Sequence, residues 1–147
     1  MLEKIHPDRA SARRFHAELL DLFRHEMDFR RAGAPGDAED NYELIYWCAL
    51  LLYLVGDPAD APLMWAAKQI DFDTSCGFDG QFLVGAGIDE TIDYLEAHGH
   101  SEPAVFVKGL KRAGDLDELG KWQEFRIHYF YPQPTSQKDG AGRDRKK

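Results

Sequence analysis

Lysine and arginine are almost missing from the middle of this chain. Residues 34–100 hold thirteen acidic groups and one base, Lys68, for a net charge of −12. The flanks differ: residues 1–33 carry a net +1 and residues 101–147 a net +3, which gives −8 for the 147 residues. A section of that sign repels nucleic acid and anionic membrane and attracts basic partners. Cysteine is scarce too. Cys48 lies in an apolar run and reads as a buried thiol, and Cys76 stands alone. Two unmatched cysteines point to a reducing compartment and away from a disulfide framework. Long apolar runs are absent. The longest, Leu44 to Val55, is 12 residues, where a membrane span needs about 20. The opening MLEKIHPDRASARRF has no apolar signal-like core, so a cytoplasmic location is expected.

Several chemical signatures are missing as well. Leu83-Val84-Gly85-Ala86-Gly87 lacks the Lys-Ser/Thr of a phosphate-binding loop, and there is no G-x-S-x-G elbow. His98-Gly-His100 has no accompanying His-x-x-x-His or Cys-x-x-Cys pair, and a helix end followed by a turn explains it. Asp71, Asp73, Ser75 and Asp79 resemble the oxygen ligands of a calcium loop. Cys76 replaces its turn glycine, however, and Phe82 its bidentate glutamate. No metal and no cofactor are expected.

What the sequence does have is helical periodicity. Phe15, Leu19, Leu22, Phe23 and Met27 recur at spacings of three and four, which predicts a first helix over about Asp8–Ala32. Gly33-Ala34-Pro35-Gly36 would end it. A second helix is expected from Asp37–Asp40, with Asp40 and Glu43 as a capping box, to Val55. Its near-continuous apolar run makes it a central helix. Gly56 stops it, and Asp57-Pro58 opens a third that ends near Gln69. A fourth is expected over Thr74–Ala86, capped by Asp73, with Cys76 in its first turn. A fifth runs Glu90–Ala97, with Asp89 as its cap. Ser101 caps a sixth that ends at Gly114. The pair Asp115 and Glu118 starts a seventh that reaches Tyr131, with apolar residues Leu119, Trp122, Phe125 and Phe130. Trp47, Trp65 and Trp122 read as core. The expected fold is all-α, about seven helices in antiparallel hairpins, compact or solenoid-like, forming one domain over residues 1–132. The polar stretch 133–147 reads as a disordered basic tail. A faint period of 29 relates Leu54-Val55-Gly56 to Leu83-Val84-Gly85, Asp60 to Asp89, and Gly85 to Gly114, the kind of repeat that stacked hairpins show.

Capping accounts for acids at helix starts, but not for 67 residues with a single base. If the helix N-termini gather on one edge, Asp57, Asp60, Asp71, Asp73, Asp79, Asp89, Glu90 and Asp93 form an acidic partner-binding face. Ser75, Cys76 and Gly77 are small enough to let a neighbouring helix approach. A cysteine nucleophile would need a histidine base, and no spacing ties His98 or His100 to Cys76. No catalytic residue is expected.

Three segments together carry a resemblance: Leu52-Tyr-Leu-Val-Gly-Asp-Pro-Ala-Asp60, Phe72-Asp-Thr-Ser-Cys-Gly-Phe-Asp79 with Gln81, and Gly85-Ala-Gly87. On these, residues 41–99 resemble small helical immunity-type proteins encoded beside bacterial polymorphic toxins, such as contact-dependent or Rhs-type effectors. The resemblance implies a non-enzymatic protein that binds a cognate basic toxin, such as a nuclease or other RNA-directed toxin, and occludes it. A helical-repeat interaction scaffold without a toxin partner is the alternative, and a small cysteine-dependent enzyme a third.

Overall fold

A computed structural model describes residues 1–33 and 43–132. The start expected at Asp37–Asp40, the Asp40 cap, the rest of the stop after Gly33, and the tail 133–147 lie outside the described residues. Among those described, eight α-helices and three short 3₁₀ turns make up the regular structure, with no strand.

The first predicted helix is two. α1 (Arg9–Arg14) and α2 (His16–Arg31) meet at Phe15, whose φ of −109° and ψ of 21° leave the helical region. Asp8 caps α1 by accepting from the Ser11 N–H at 2.7 Å. The break lets α1 reach the end of the central helix while α2 lays Leu19, Phe23 and Met27 along it. Spacings of three and four run through such a kink unchanged, so periodicity could not reveal it.

That central helix is α3 (Leu44–Val55), with ten of its twelve residues buried, as its all-round apolar sequence requires. Gly56 ends it at φ 74°, a left-handed cap that glycine adopts without strain. A 3₁₀ turn at Pro58–Asp60 leads into α4 (Ala61–Lys68), and Asp57 caps the turn by accepting from the Ala59 N–H at 2.9 Å.

The predicted fourth helix is also broken. α5 (Phe72–Gly77) is followed by a separate 3₁₀ turn at Gly80–Val84. Asp71, not Asp73, is the cap; its carboxylate accepts from the Thr74 N–H at 2.7 Å. The helix yields at Phe78, which takes an extended conformation and is fully buried. Its ring meets Phe23, Tyr46 and Phe82 at centroid distances of 6.2, 6.1 and 5.1 Å. Aromatic burial of this size outweighs two more helical hydrogen bonds. Gly77 does serve close approach: a Cβ there would lie 2.5 Å from the Tyr46 hydroxyl oxygen.

α6 (Ile88–Ala97) and α7 (Ser101–Ala113) form a hairpin. Gly87 occupies the cap position of α6, so Asp89 sits in its first turn instead. His100, not Ser101, precedes α7. α8 (Leu119–Phe130) starts after Glu118; Asp115 belongs to the preceding turn, which buries Leu116. Trp47 stacks on Phe130 at 5.5 Å, Trp122 meets Tyr53 at 5.0 Å, and Trp65 meets Phe106 at 5.0 Å. All three tryptophans pack against the core as expected, whereas Phe125 is exposed.

The period of 29 does not correspond to equivalent positions. Gly56 and Gly114 are left-handed helix ends, but Gly85 is right-handed, at φ −60°. Its lack of a side chain serves contact, since a Cβ there would strike the Tyr53 backbone.

Candidate functional site

The eight acids proposed as one face divide by what their carboxylates meet. Asp79 is held internally by α8. Trp122 Nε1 donates to its Oδ2 at 2.8 Å, and Arg126 Nε and Nη2 donate to the same oxygen at 3.0 and 2.8 Å. The guanidinium also lies 5.4 Å from the Phe82 ring centroid. Asp60 is 6% exposed, too buried to meet a partner in this conformation. These two positions correct the single-face expectation. The helix period fixes which way a residue points on its own helix, but not that α2 and α8 would cover those points.

Two more acids act locally. Asp71 and Asp57 accept from backbone N–H groups at 2.7 and 2.9 Å. The Thr74 N–H holds the Asp71 carboxyl below its ordinary value. Asp89 pairs with Lys111 at 2.8 Å, on the surface, where such a pair contributes about 0–1 kcal/mol. Asp73, Glu90 and Asp93 are exposed and have no ion pair among the described residues. Glu96, not singled out from sequence, pairs with Lys108.

Lys68, the one base of the acidic section, faces inward. Its ammonium donates to the Ser75 and Phe78 carbonyls at 2.8 and 2.7 Å, covering the C-terminal end of α5. Desolvation lowers its pKa. Described residues 43–100 therefore present no exposed lysine or arginine of their own, and the lysines beside α6 come from α7.

A second cluster gathers where α3 ends, and no residue spacing announces it. Arg13 Nε donates to the Val55 carbonyl at 2.9 Å. Arg9 reaches the same end, with its guanidinium 3.2 Å from where a Gly56 Cβ would stand. Cations suit the negative end of a helix, where carbonyls lack helical partners. Beside them, His16 Nε2 and Asp60 Oδ2 are 2.7 Å apart. Burial pushes the Asp60 carboxyl above its ordinary value, while the bond to His16 pulls the other way. His16, Asp57 and Asp60 each offer one donor atom, and the three lie within 4.8 Å of one another. A cavity of about 340 Å³ adjoins them, lined by Arg13, His16, Val55, Gly56, Asp57 and Pro58. The three residues are 44 or fewer positions apart in no recognisable spacing, so only the α2–turn contact could reveal them.

Cys76 is exposed but sits near the C-terminal end of α5. The positive potential expected from a first-turn position is absent there. No hydrogen bond joins it to a histidine among the described residues. His98 follows the end of α6, bonds the Tyr94 carbonyl through Nδ1 at 2.9 Å, and stacks on the Tyr94 ring. No described helix is long and apolar enough to cross a membrane. No family model, curated protein or solved structure matches the chain.

Proposed function

We propose that this is a non-enzymatic inhibitor of the immunity type, which binds a basic toxin protein and occludes it through outward carboxylates. Glu90 and Asp93 of α6 lead that surface, with Asp73 and the solvent-facing part of Asp57. Of the eight acids first expected there, Asp60 is buried, Asp79 is bound by α8 and Asp89 is paired, while Asp71, like Asp57, spends one oxygen on a cap.

One observation carries the reading: Lys68 is turned onto backbone carbonyls, so nothing within the section neutralises those carboxylates. Complementary charge of this kind steers encounter, with association reaching ~10⁸ M⁻¹s⁻¹ at low salt. Exposed ion pairs contribute too little for tight binding, about 0.2–1 kcal/mol each, so an apolar anchor is also needed. Tyrosines of the acidic section fit that role poorly: Tyr46 is buried, and Tyr94 is half-buried under His98. Phe72 fits better. It is 81% exposed and flanked by Asp71 and Asp73.

The test is co-expression with the product of the neighbouring open reading frame. A basic protein that co-purifies in a defined ratio, and whose toxicity this chain suppresses, supports the inhibitor. A neighbour that neither binds nor harms the cell refutes it.

A further inference from the structure

We propose that His16, Asp57 and Asp60 form a binding site for one divalent transition-metal ion of the zinc class. The donor set is one imidazole nitrogen and two carboxylates, which suits zinc and its neighbours better than the all-oxygen ions calcium and magnesium. The three donor atoms already lie within 4.8 Å of one another. Zinc bonds of about 2.0–2.2 Å place tetrahedral ligands about 3.3 Å apart. His16 Nε2 and Asp60 Oδ2, now 2.7 Å apart, would open slightly to admit the ion, and Asp57 would move in from the exposed side. The adjoining cavity leaves the fourth position open to water or to an external ligand.

Asp60 supplies the buried end of the cluster. It stands where the 3₁₀ turn runs into α4, in helical backbone conformation, and its side chain caps nothing. Asp60 is more than nine-tenths buried, and the one hydrogen bond its carboxylate makes among the described residues is with His16. A carboxylate can accept at about four lone-pair sites, and buried ones ordinarily fill several. The second oxygen of Asp60 meets no donor among the described residues and is not fully sealed from solvent, so it is open to a ligand. Asp57 uses Oδ1 for its cap and keeps Oδ2 for a ligand bond. Arg13 and Arg9 oppose a cation here, but Arg13 is bonded to the Val55 carbonyl and Arg9 lies over Gly56, each beside the negative end of α3.

The experiment is titration of the purified full-length chain with Zn²⁺, followed by native mass spectrometry and calorimetry, with the visible spectrum of a Co²⁺-loaded sample as a geometric readout. The result expected is one saturable equivalent and tetrahedral Co²⁺ bands. His16→Ala should abolish both. Asp57→Asn keeps a capping side chain and should weaken binding more than about ten-fold, with the far-ultraviolet circular dichroism unchanged. His98→Ala with His100→Ala should leave uptake intact. Absence of saturable uptake, uptake unchanged in both cluster variants, or loss in the His98/His100 variant would overturn the site.

Discussion

Asp60 and Asp93 belong to the same acid-rich section, and the turn that holds Asp60 packs against the helix that holds Asp93. Asp60 is 6% exposed and bonded to a histidine from α2, whereas Asp93 faces solvent without an ion pair among the described residues. The corner after α3 thus draws its acids inward, and α6 leaves its acids out. The difference comes from what covers each position. α1 and α2 bring Arg9, Arg13 and His16 over the corner; nothing described covers Glu90 and Asp93. Two aspartates of equal formal charge therefore differ in energetics and in availability to a partner.

The comparison can be broken most forcefully at the inward acids. Asp79→Ala strips three hydrogen bonds and leaves Arg126, with a side chain only 14% exposed, without its carboxylate. A loss of about 2–4 kcal/mol is expected in urea denaturation; a loss below 0.5 kcal/mol would mean that the clasp does not stabilise the fold. Asp71→Ala removes the α5 cap and should cost about 1 kcal/mol. Asp60→Asn should shift stability at neutral pH by no more than about 1 kcal/mol, because it relieves a buried charge while keeping a polar partner for His16. A larger loss would show that the charged pair itself is needed.

Titration sharpens the contrast. The folded Asp71 pKa lies below its ordinary 3.8, so its stabilisation is present above that value and fades as pH falls through the depressed one. The folded Asp60 pKa lies above 3.8, so its contribution has the opposite sign: full below 3.8 and lost as pH rises through the folded value. Carboxyl carbon NMR should find the two titrating on opposite sides of 3.8. Asp60 titrating below it would contradict the burial argument. The smallest stability effect belongs to Glu90→Lys with Asp93→Lys, within about 0.5 kcal/mol by denaturation, as expected for exposed sites.

Much of the fold was legible because hydrophobic period and helix punctuation are local. The α3 run, its stop at Gly56, the end at Gly114 and the three core tryptophans could all be read directly. The breaks at Phe15 and Phe78 could not. At Phe78 the deciding energy is a ring buried among residues from α2, α3 and the following turn, and sequence spacing carries no trace of it. The site was less legible for the same reason. Capping roles were readable at Asp57, though Asp71 displaced Asp73 at α5. The partners of Asp60 and Asp79 come from 44 and 43 or more positions away, and net charge says nothing about which acids will find a cation.

The central claim is that the uncovered α6 carboxylates recognise a basic protein. Stopped-flow kinetics of the wild type and of Glu90→Lys with Asp93→Lys, against the partner recovered by co-expression, test it most directly. Association should slow by about ten-fold or more at low salt, with dissociation changed less, and the gap should narrow at high ionic strength. Equal association rates at every salt concentration would contradict it.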